Sequence, residues 1–335
     1  MIPKTSCLPE ICPATAKFAF PRQDPDAVLK GLRGEDRLFA QCELAVLRCD
    51  FAAAKDLYGR LSKSPRYFAA ATRFGVIAAI GLGDVRLFDD VIRVLTVLRR
   101  TAKDALTSVM VDLAEGWIHQ WMWIQTGYPE WISLYDFEKV PEAWRDSAAY
   151  LGAKIYLVRG QFESAYAAAA LMMHYVAPDK NITVRDVYLM MTRAMACRER
   201  GRRSEMMKWL RAAVNKMAPH GMLLPLFMFL HGGAKSPVEE VLEEVRPDLL
   251  SRFRELNRAY YKNLIQVRNH YLGERITDKL TFREMYLAIC LKRGRSYDEL
   301  AKRFEITVGH LKNVISKVYE KLGVHSRGEL KDIVW

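Results

Sequence analysis

The chain has 335 residues, half of them hydrophobic, and a formal net charge of +12 at pH 7. No apolar run approaches the roughly 20 residues that a membrane-spanning helix needs, and the N-terminal stretch lacks the apolar core of a secretion signal. We therefore expect a cytoplasmic protein of two or three folding units, with a sizeable core and no membrane contact. The positive charge favours partners that carry phosphate, but it does not distinguish nucleic acid from an anionic surface.

Residues 1–35 contain several prolines, and we expect them to form a partly disordered lead-in. The six cysteines of the chain include no CxxC pair, and without a secretion signal they are expected to be free thiols. A redox or metal site at Cys7 and Cys12 is the alternative interpretation. The cysteines are Cys7, Cys12, Cys42, Cys49, Cys197 and Cys290.

Residues 36–272 are predicted to form an all-α array of antiparallel helix pairs. Apolar residues recur at helical spacing, and five short breaks interrupt them at intervals of 33 to 44 residues. Glycine at such a break suits the left-handed residue that ends a helix. The breaks centre on Cys49, Gly83, Gly127, Gly160 and Gly201. The pattern resembles a tetratricopeptide (TPR)-like solenoid, in which each helix pair buries its apolar face on its neighbours.

Five aromatic residues cluster in one segment of this array. They are Trp117, Trp121, Trp123, Tyr128 and Trp131. Helical spacing places Trp117, Trp121 and Ile124 on one face. The segment is interpreted either as a thick core layer between repeats or as an aromatic pocket for an effector or a peptide.

A further helical stretch follows, and Pro247 is expected to interrupt it. The polar segment 273–279 comes next. We interpret it as a linker between the repeat array and a C-terminal domain at 280–335.

Three helix starts in the C-terminal domain are indicated by a serine or threonine followed three residues later by a glutamate. This is the spacing of a capping box. The pairs are Thr281 with Glu284, Ser296 with Glu299, and Ser326 with Glu329. Thr307 is a suitable N-cap for one more helix, and Gly294 and Gly323 suit helix ends. The predicted helices are 282–292, 297–304, 308–322 and 327–334.

The predicted helix 308–322 has two different faces. One face is apolar and would pack on the preceding helix across a three-residue turn; it comprises Leu311, Ile315, Val318 and Leu322. The other face is polar and comprises Gly309, Asn313, Ser316, Lys317 and Glu320, with Lys312 at its flank. A helix held by its back, with polar side chains projecting, fits a DNA major groove, and the turn has the length of a helix-turn-helix turn.

The segment 280–330 also resembles the LuxR/GerE-type helix-turn-helix. The matching motifs are LTFRE, Gly294-Arg295-Ser296, DELAKRF, Leu311-Lys312 and KLGVHSRGEL. The resemblance implies a bacterial, sequence-specific transcription regulator that binds DNA as a homodimer. Its layout is similar to that of MalT-like regulators without their ATPase, since the GxxxxGK[ST] motif is missing. The repeat array would then sense a small molecule or a protein partner.

The resemblance implies roles for single residues. Base edges would be read by Lys312, Asn313 and Ser316, and phosphates would be contacted by Tyr297, Lys302, Arg303, Lys317 and Lys321. The chain departs from the family pattern at Phe282, Tyr297, His310 and Val314. These departures leave the operator sequence open. Those at His310 and Val314 also support the alternative of a non-catalytic protein-interaction scaffold whose helix-turn-helix no longer reads DNA.

The final predicted helix brings Leu330, Ile333 and Val334 together. They would either pack on 282–292 or form a dimer face that places two recognition helices about 34 Å apart. Residues 279–335 carry a net charge of +5, which suits a DNA-binding module. No motif indicates a catalytic site, a metal or a cofactor, and we do not expect an enzyme.

Overall fold

The computed structural model describes most of the chain, and within that part the protein is all-α. The described residues are 19–20, 24–64, 67–102, 105–124, 127–138, 140, 142–175, 182–229, 236–273 and 280–333. Two short strands, β1 (Ala19–Phe20) and β2 (Ile182–Thr183), pair antiparallel. The chain divides into two compact units, Met1–Met228 and Phe229–Trp335.

The helices of the first unit follow each other with short connections. They are α1 (Pro25–Gly31), α2 (Gly34–Leu47), α3 (Phe51–Leu61), α4 (Phe68–Leu82), α5 (Val85–Thr101), α6 (Ala105–Met122), α7 (Glu130–Ser133), α8 (Glu142–Val158), α9 (Phe162–Tyr175), α10 (Val184–Glu199) and α11 (Arg203–Met217). Helix α1 lies in the predicted lead-in, so part of that segment is helical. It begins with Asp24, which accepts a hydrogen bond from the backbone N–H of Asp26, and with Pro25 at a position that needs no N–H donor.

The even-numbered helices α2, α4, α6, α8 and α10 form one layer of this unit. Each contacts the next even-numbered helix, and each also contacts helices adjacent to it in sequence. The short 3₁₀ segment Leu224–Met228 contacts both α2 and α10, and the N–H of Leu223 donates to the carbonyl of Leu47 at 2.9 Å. The two ends of the layer are therefore brought together by one segment.

The turns that follow the five even-numbered helices share one pattern of hydrogen bonds, which also occurs at Tyr135 and Gly221. In each, a left-handed residue donates to the carbonyl three residues earlier, and the next residue donates to the carbonyl five residues before itself. These bonds satisfy carbonyls that the helix end leaves open. The left-handed residues are Cys49, Gly83, Trp123, Gly160 and Gly201. Four of the predicted breaks are thus turns of this kind. At the third break Trp123 takes the left-handed conformation directly after α6, whereas Gly127 lies later in the connection.

The second unit contains α12 to α17. These are α12 (Pro237–Val245), α13 (Pro247–Leu272), α14 (Phe282–Lys292), α15 (Tyr297–Phe304), α16 (Val308–Leu322) and α17 (Arg327–Asp332). The interruption predicted at Pro247 is present, because α12 ends and α13 begins there.

The division between the units differs from the boundary that we expected at 273–279. Helix α13 packs on α12 and contacts α14, and both α12 and α13 lie in the second compact unit rather than in the first. Apart from Gly273, which ends α13 with a positive φ of 64°, the expected linker lies outside the described residues.

Candidate functional site

Helices α15 and α16 are joined by a tight three-residue turn, 305–307. Glu305 adopts the left-handed conformation, with φ of 54°. The N–H of Ile306 donates to the carbonyl of Ala301 at 3.0 Å, and the hydroxyl of Thr307 accepts the N–H of His310 at 3.2 Å. The end of one helix and the start of the next are therefore both capped by the turn itself.

The starts of α14 and α15 are capping boxes, as predicted. Ser296 accepts the N–H of Glu299 at 3.2 Å, while the Glu299 carboxylate accepts the N–H of Ser296 at 2.8 Å. The hydrogen bond from the Ser296 backbone, opposed by slight burial, holds the pKa of Glu299 below its usual value. At α17 the arrangement differs: Ser326 accepts the N–H of Glu329, but the Glu329 carboxylate accepts the N–H of His325 rather than that of Ser326.

One face of α16 is buried, and α16 contacts both α14 and α15. Leu311, Ile315 and Val318 are at most 3% exposed, as are Leu300 and Phe304 of α15. Leu322, which we expected on this face, is only half-buried. The back of α16 is therefore held by apolar packing along most of its length.

The opposite face of α16 is exposed, as the pattern predicted. It carries Lys312, Asn313, Ser316 and Lys317. Ser316 donates its hydroxyl hydrogen to the carbonyl of Lys312 at 3.1 Å, so this short side chain lies against its own helix. Within the described part of the chain, the side chains of Lys312 and Lys317 have no ion-pair or hydrogen-bond partner, and they remain available to a ligand.

The residues expected to contact phosphate fall into two groups. Lys302 and Lys317 are exposed, and Tyr297 is half-buried. Lys321 instead binds both carboxylate oxygens of Glu284 at 2.7 Å. Arg303 donates to the hydroxyl of Tyr286 at 3.2 Å. These two cations are engaged within the unit.

Two further arginines hold this region together. Arg283 donates to the carbonyl of Phe304 at 2.7 Å, at the end of α15. Arg327 donates to the carbonyls of Leu291 and Arg295 at 2.8 and 2.7 Å, and so fixes the start of α17 to the end of α14. Sequence reasoning missed both roles, although both arginines lie inside the quoted motifs LTFRE and KLGVHSRGEL.

The three residues of the expected dimer face lie in different environments. Leu330 is fully buried in a unit where α17 packs on α14, which agrees with the alternative of core packing. Ile333 is half-buried, and its carbonyl accepts a hydrogen bond from Lys292 at 2.5 Å. Val334 lies outside the described residues. Leu330 is therefore not available for a contact between subunits.

The five aromatic residues of the expected pocket are not gathered in one place. Trp117 and Trp121 line the same pocket in the first unit. Trp123 closes α6, Tyr128 packs edge-on against His119 with ring centroids 5.7 Å apart, and Trp131 donates its indole N–H to Asp112 at 2.8 Å. The aromatic segment thus divides between a pocket and ordinary packing.

The described cysteines, Cys42, Cys49, Cys197 and Cys290, are buried thiols and form no disulfide with one another. Cys7 and Cys12 lie outside the described residues, and the described part of the chain holds no cluster of potential metal ligands. Among its helices, none combines the length and apolar character needed to cross a membrane.

Comparisons with family models, curated proteins and solved structures gave no match to this chain. The function is therefore inferred from the geometry of its own residues.

Proposed function

We propose that the second unit binds duplex DNA through a LuxR/GerE-type helix-turn-helix, and that the protein is a transcription regulator. The observation that carries the proposal is the α15–α16 pair. A three-residue turn joins the helices, one face of α16 is buried, and the opposite face presents Lys312 and Asn313 without competing contacts. A helix held in this way can enter a major groove with its polar side chains directed at the bases.

The exposed residues of this pair divide into two roles. Lys312 and Asn313 carry the donors and acceptors that read base edges, and Ser316 has a short reach at the same face. Lys302, Lys317 and Tyr297 would position the protein on phosphates. Lys321 and Arg303 are left out of the proposed contacts because they bind Glu284 and Tyr286.

The first unit is proposed to be a TPR-like array that receives a signal. Its support is the layer of even-numbered helices and the turn that follows each of them, since these five turns recur every 34 to 41 residues. Stacked helix pairs of this kind present extended surfaces to ligands and partners. The regulator would act as a homodimer on a site with two half-sites.

Charge reversal on α16 tests the proposal. Lys312→Glu in the full-length protein should weaken binding to a selected duplex at least about tenfold, because it removes a base contact and places a negative charge in the groove. Lys331→Glu is the matched control, since Lys331 is also exposed and the change in net charge is the same. Equal effects of the two variants, with folding intact, would favour a merely basic surface. Salt-insensitive binding to a protein, with none to duplex, would favour the interaction scaffold.

A further inference from the structure

Half of the net charge of the chain is concentrated in one stretch of the first unit, residues 193–217, which we call the basic segment. It contains eight basic and two acidic residues, a net charge of +6, whereas the whole chain carries +12. The rest of the first unit has 23 basic and 22 acidic residues and is nearly neutral. The basic segment covers the second half of α10, the turn after it and all of α11. Its basic residues are Arg193, Arg198, Arg200, Arg202, Arg203, Lys208, Arg211 and Lys216.

The acidic side chains in and beside the basic segment do not cancel its charge. Both acidic residues of the segment lie within ion-pair distance of an arginine, and so does Glu163 of α9, yet five basic residues remain in excess. A surface with such an excess raises the local concentration of anions. The three pairs are Arg198 with Glu199 at 2.6 Å, Arg200 with Glu163 at 2.5 Å, and Arg202 with Glu205 at 3.7 Å.

Helix α11 presents part of this charge on an exposed, polar face. Four exposed residues recur every three or four positions, a spacing that places them on one side of the helix. Arg203, in the first turn, is exposed as well. The opposite side of α11 is buried and apolar, and the helix packs on α10. The four residues of the exposed face are Ser204, Lys208, Arg211 and Asn215.

The aromatic ring of α11 supports the charges of this face. Trp209 is half-buried, and the guanidinium carbon of Arg193 lies 3.6 Å from its ring centroid. The ammonium nitrogen of Lys208 lies 5.7 Å from the same centroid. Both cations are within the range of a cation–π contact. Because Arg193 lies against the ring, Trp209 does not offer an open apolar surface to a partner.

The composition of the exposed face distinguishes between kinds of anionic partner. A helix that lies on a membrane needs an exposed apolar side, and protein interfaces are anchored by apolar or aromatic side chains. The exposed face of α11 has neither. Contacts to a phosphodiester backbone need only lysine, arginine and small polar side chains, which this face provides. It therefore fits nucleic acid better than a lipid surface or an acidic protein.

The dimensions of the face also fit a nucleic-acid duplex. From Arg203 to Lys216 the helix rises by about 20 Å. Duplex DNA carries one negative charge for about every 1.7 Å of its axis, so a stretch of this length offers several phosphates. More than one basic side chain of α11 can then contact phosphate at the same time.

We propose that the exposed face of α11 is a second DNA-contacting surface, which binds the phosphates of a duplex without reading their sequence. The inference rests on the proposed function in taking this duplex to be the one that α16 reads. Since both surfaces belong to one chain, binding at α16 raises the local concentration of DNA at α11. The contact adds affinity and salt dependence to DNA binding, but no sequence preference.

Charge reversal on α11 tests the proposal in the full-length protein. Fluorescence anisotropy follows binding to a long duplex with the selected site, and to a scrambled duplex, across a salt series. Lys208→Glu combined with Arg211→Glu removes two phosphate contacts, so affinity for both duplexes should fall at least about tenfold. The negative slope of log K against log salt concentration should become shallower by about 2, and the preference for the selected site should not change.

The matched control is Arg60→Glu combined with Lys63→Glu. These residues are also an exposed arginine and lysine of the first unit, three positions apart, and the change in net charge is the same. The control should leave the salt slope unchanged. Equal effects of the two double variants overturn the inference, because only the net charge then matters. If the α11 reversal destabilises the fold, Lys208→Gln combined with Arg211→Gln replaces it and should make the slope shallower by the same amount.

Further outcomes separate this inference from the proposed function. If the α11 variants bind duplex like the wild type but lose binding to polyglutamate, the surface takes an acidic protein and the inference is overturned. If Lys312→Ala relaxes sequence preference while the α11 variants keep the wild-type salt slope, the inference fails and the reading role of α16 stands. If binding shows no sequence preference and depends on Lys208 and Arg211 but not on Lys312, the role of α16 fails and the α11 surface stands.

Discussion

The Nζ atom of Lys321, near the end of α16, lies 2.7 Å from both carboxylate oxygens of Glu284, in the first turn of α14. The same carboxylate accepts the backbone N–H of Thr281 at 2.7 Å, so one side chain both caps α14 and ties it to α16. Burial would raise the pKa of Glu284, but the hydrogen bonds from Lys321 and Thr281 outweigh it and hold the pKa below its usual value. The pair helps to fix the orientation of α16.

A double-mutant cycle with Lys321→Met and Glu284→Gln should show a coupling free energy of less than about 1 kcal/mol at pH 7, as is usual for a partly exposed pair. Glutamine can still cap α14, so the cycle isolates the ion pair. Because the folded-state pKa of Glu284 is lowered, its contribution is present above the ordinary value of 4.5 and is lost as the pH falls through the folded-state pKa. Urea denaturation at several pH values measures this. If the coupling free energy is unchanged at low pH, where the carboxylate is protonated, it does not come from the ion pair.

Lys317 and Lys312 should have different effects on DNA binding. Lys317→Ala removes a proposed phosphate contact, so the affinity should fall by a similar factor for all sequences. The negative slope of log K against log salt concentration should become shallower by about 1. Lys312→Ala removes a proposed base contact, so it should relax sequence preference. Fluorescence anisotropy with a selected and a scrambled duplex, across a salt series, separates the two effects. The role assignment is wrong if both variants change preference and salt slope alike.

Lys154 of α8 should make the stability of the first unit depend on pH. It is 1% exposed, and its ammonium nitrogen lies 3.9 Å from the sulfur of Met195 and 6.0 Å from the ring centroid of Tyr150. Burial lowers the pKa of Lys154 to about 7 from 10.5. Between these values the unfolded chain keeps a proton that the folded chain has lost. Because of Lys154, the free energy of unfolding should therefore rise by up to about 1.4 kcal/mol for each pH unit between these two values. Below pH 7 the contribution of Lys154 does not change with pH.

Lys154→Met should accordingly be more stable than the wild type at pH 7 and should lose this rise between pH 7 and 9. Urea denaturation of both proteins at pH 7, 8 and 9 provides the comparison. The assignment of the rise to Lys154 fails if the two proteins show the same slope with pH.

The C-terminal helices were predictable because their limits are set by local contacts. The pairs Thr281 with Glu284 and Ser296 with Glu299 place the starts of α14 and α15 at the predicted residues, and Thr307 does so for α16. Each of these caps depends on residues three positions apart, a spacing that is visible in the sequence.

Features set by distant packing were not predictable in the same way. The pattern of Leu330 and Ile333 is compatible with a core or with a dimer face, and only the packing of α17 on α14 places Leu330 inside. The pocket in the first unit joins Glu43 and Tyr188, which are far apart in sequence, and no local spacing relates them. At the third break a glycine was expected to end the helix, but Trp123 does so: its N–H donates to the carbonyl of Gln120, and the N–H of Ile124 donates to that of His119.

The most direct test of the DNA-binding account is selection of duplexes from a random library by the full-length protein, repeated at several salt concentrations. We expect enrichment of a palindrome whose half-sites are about one helical turn apart, and a loss of this sequence preference in Lys312→Ala. Binding without enrichment, which disappears steeply as salt is raised, would contradict it and leave only a basic surface.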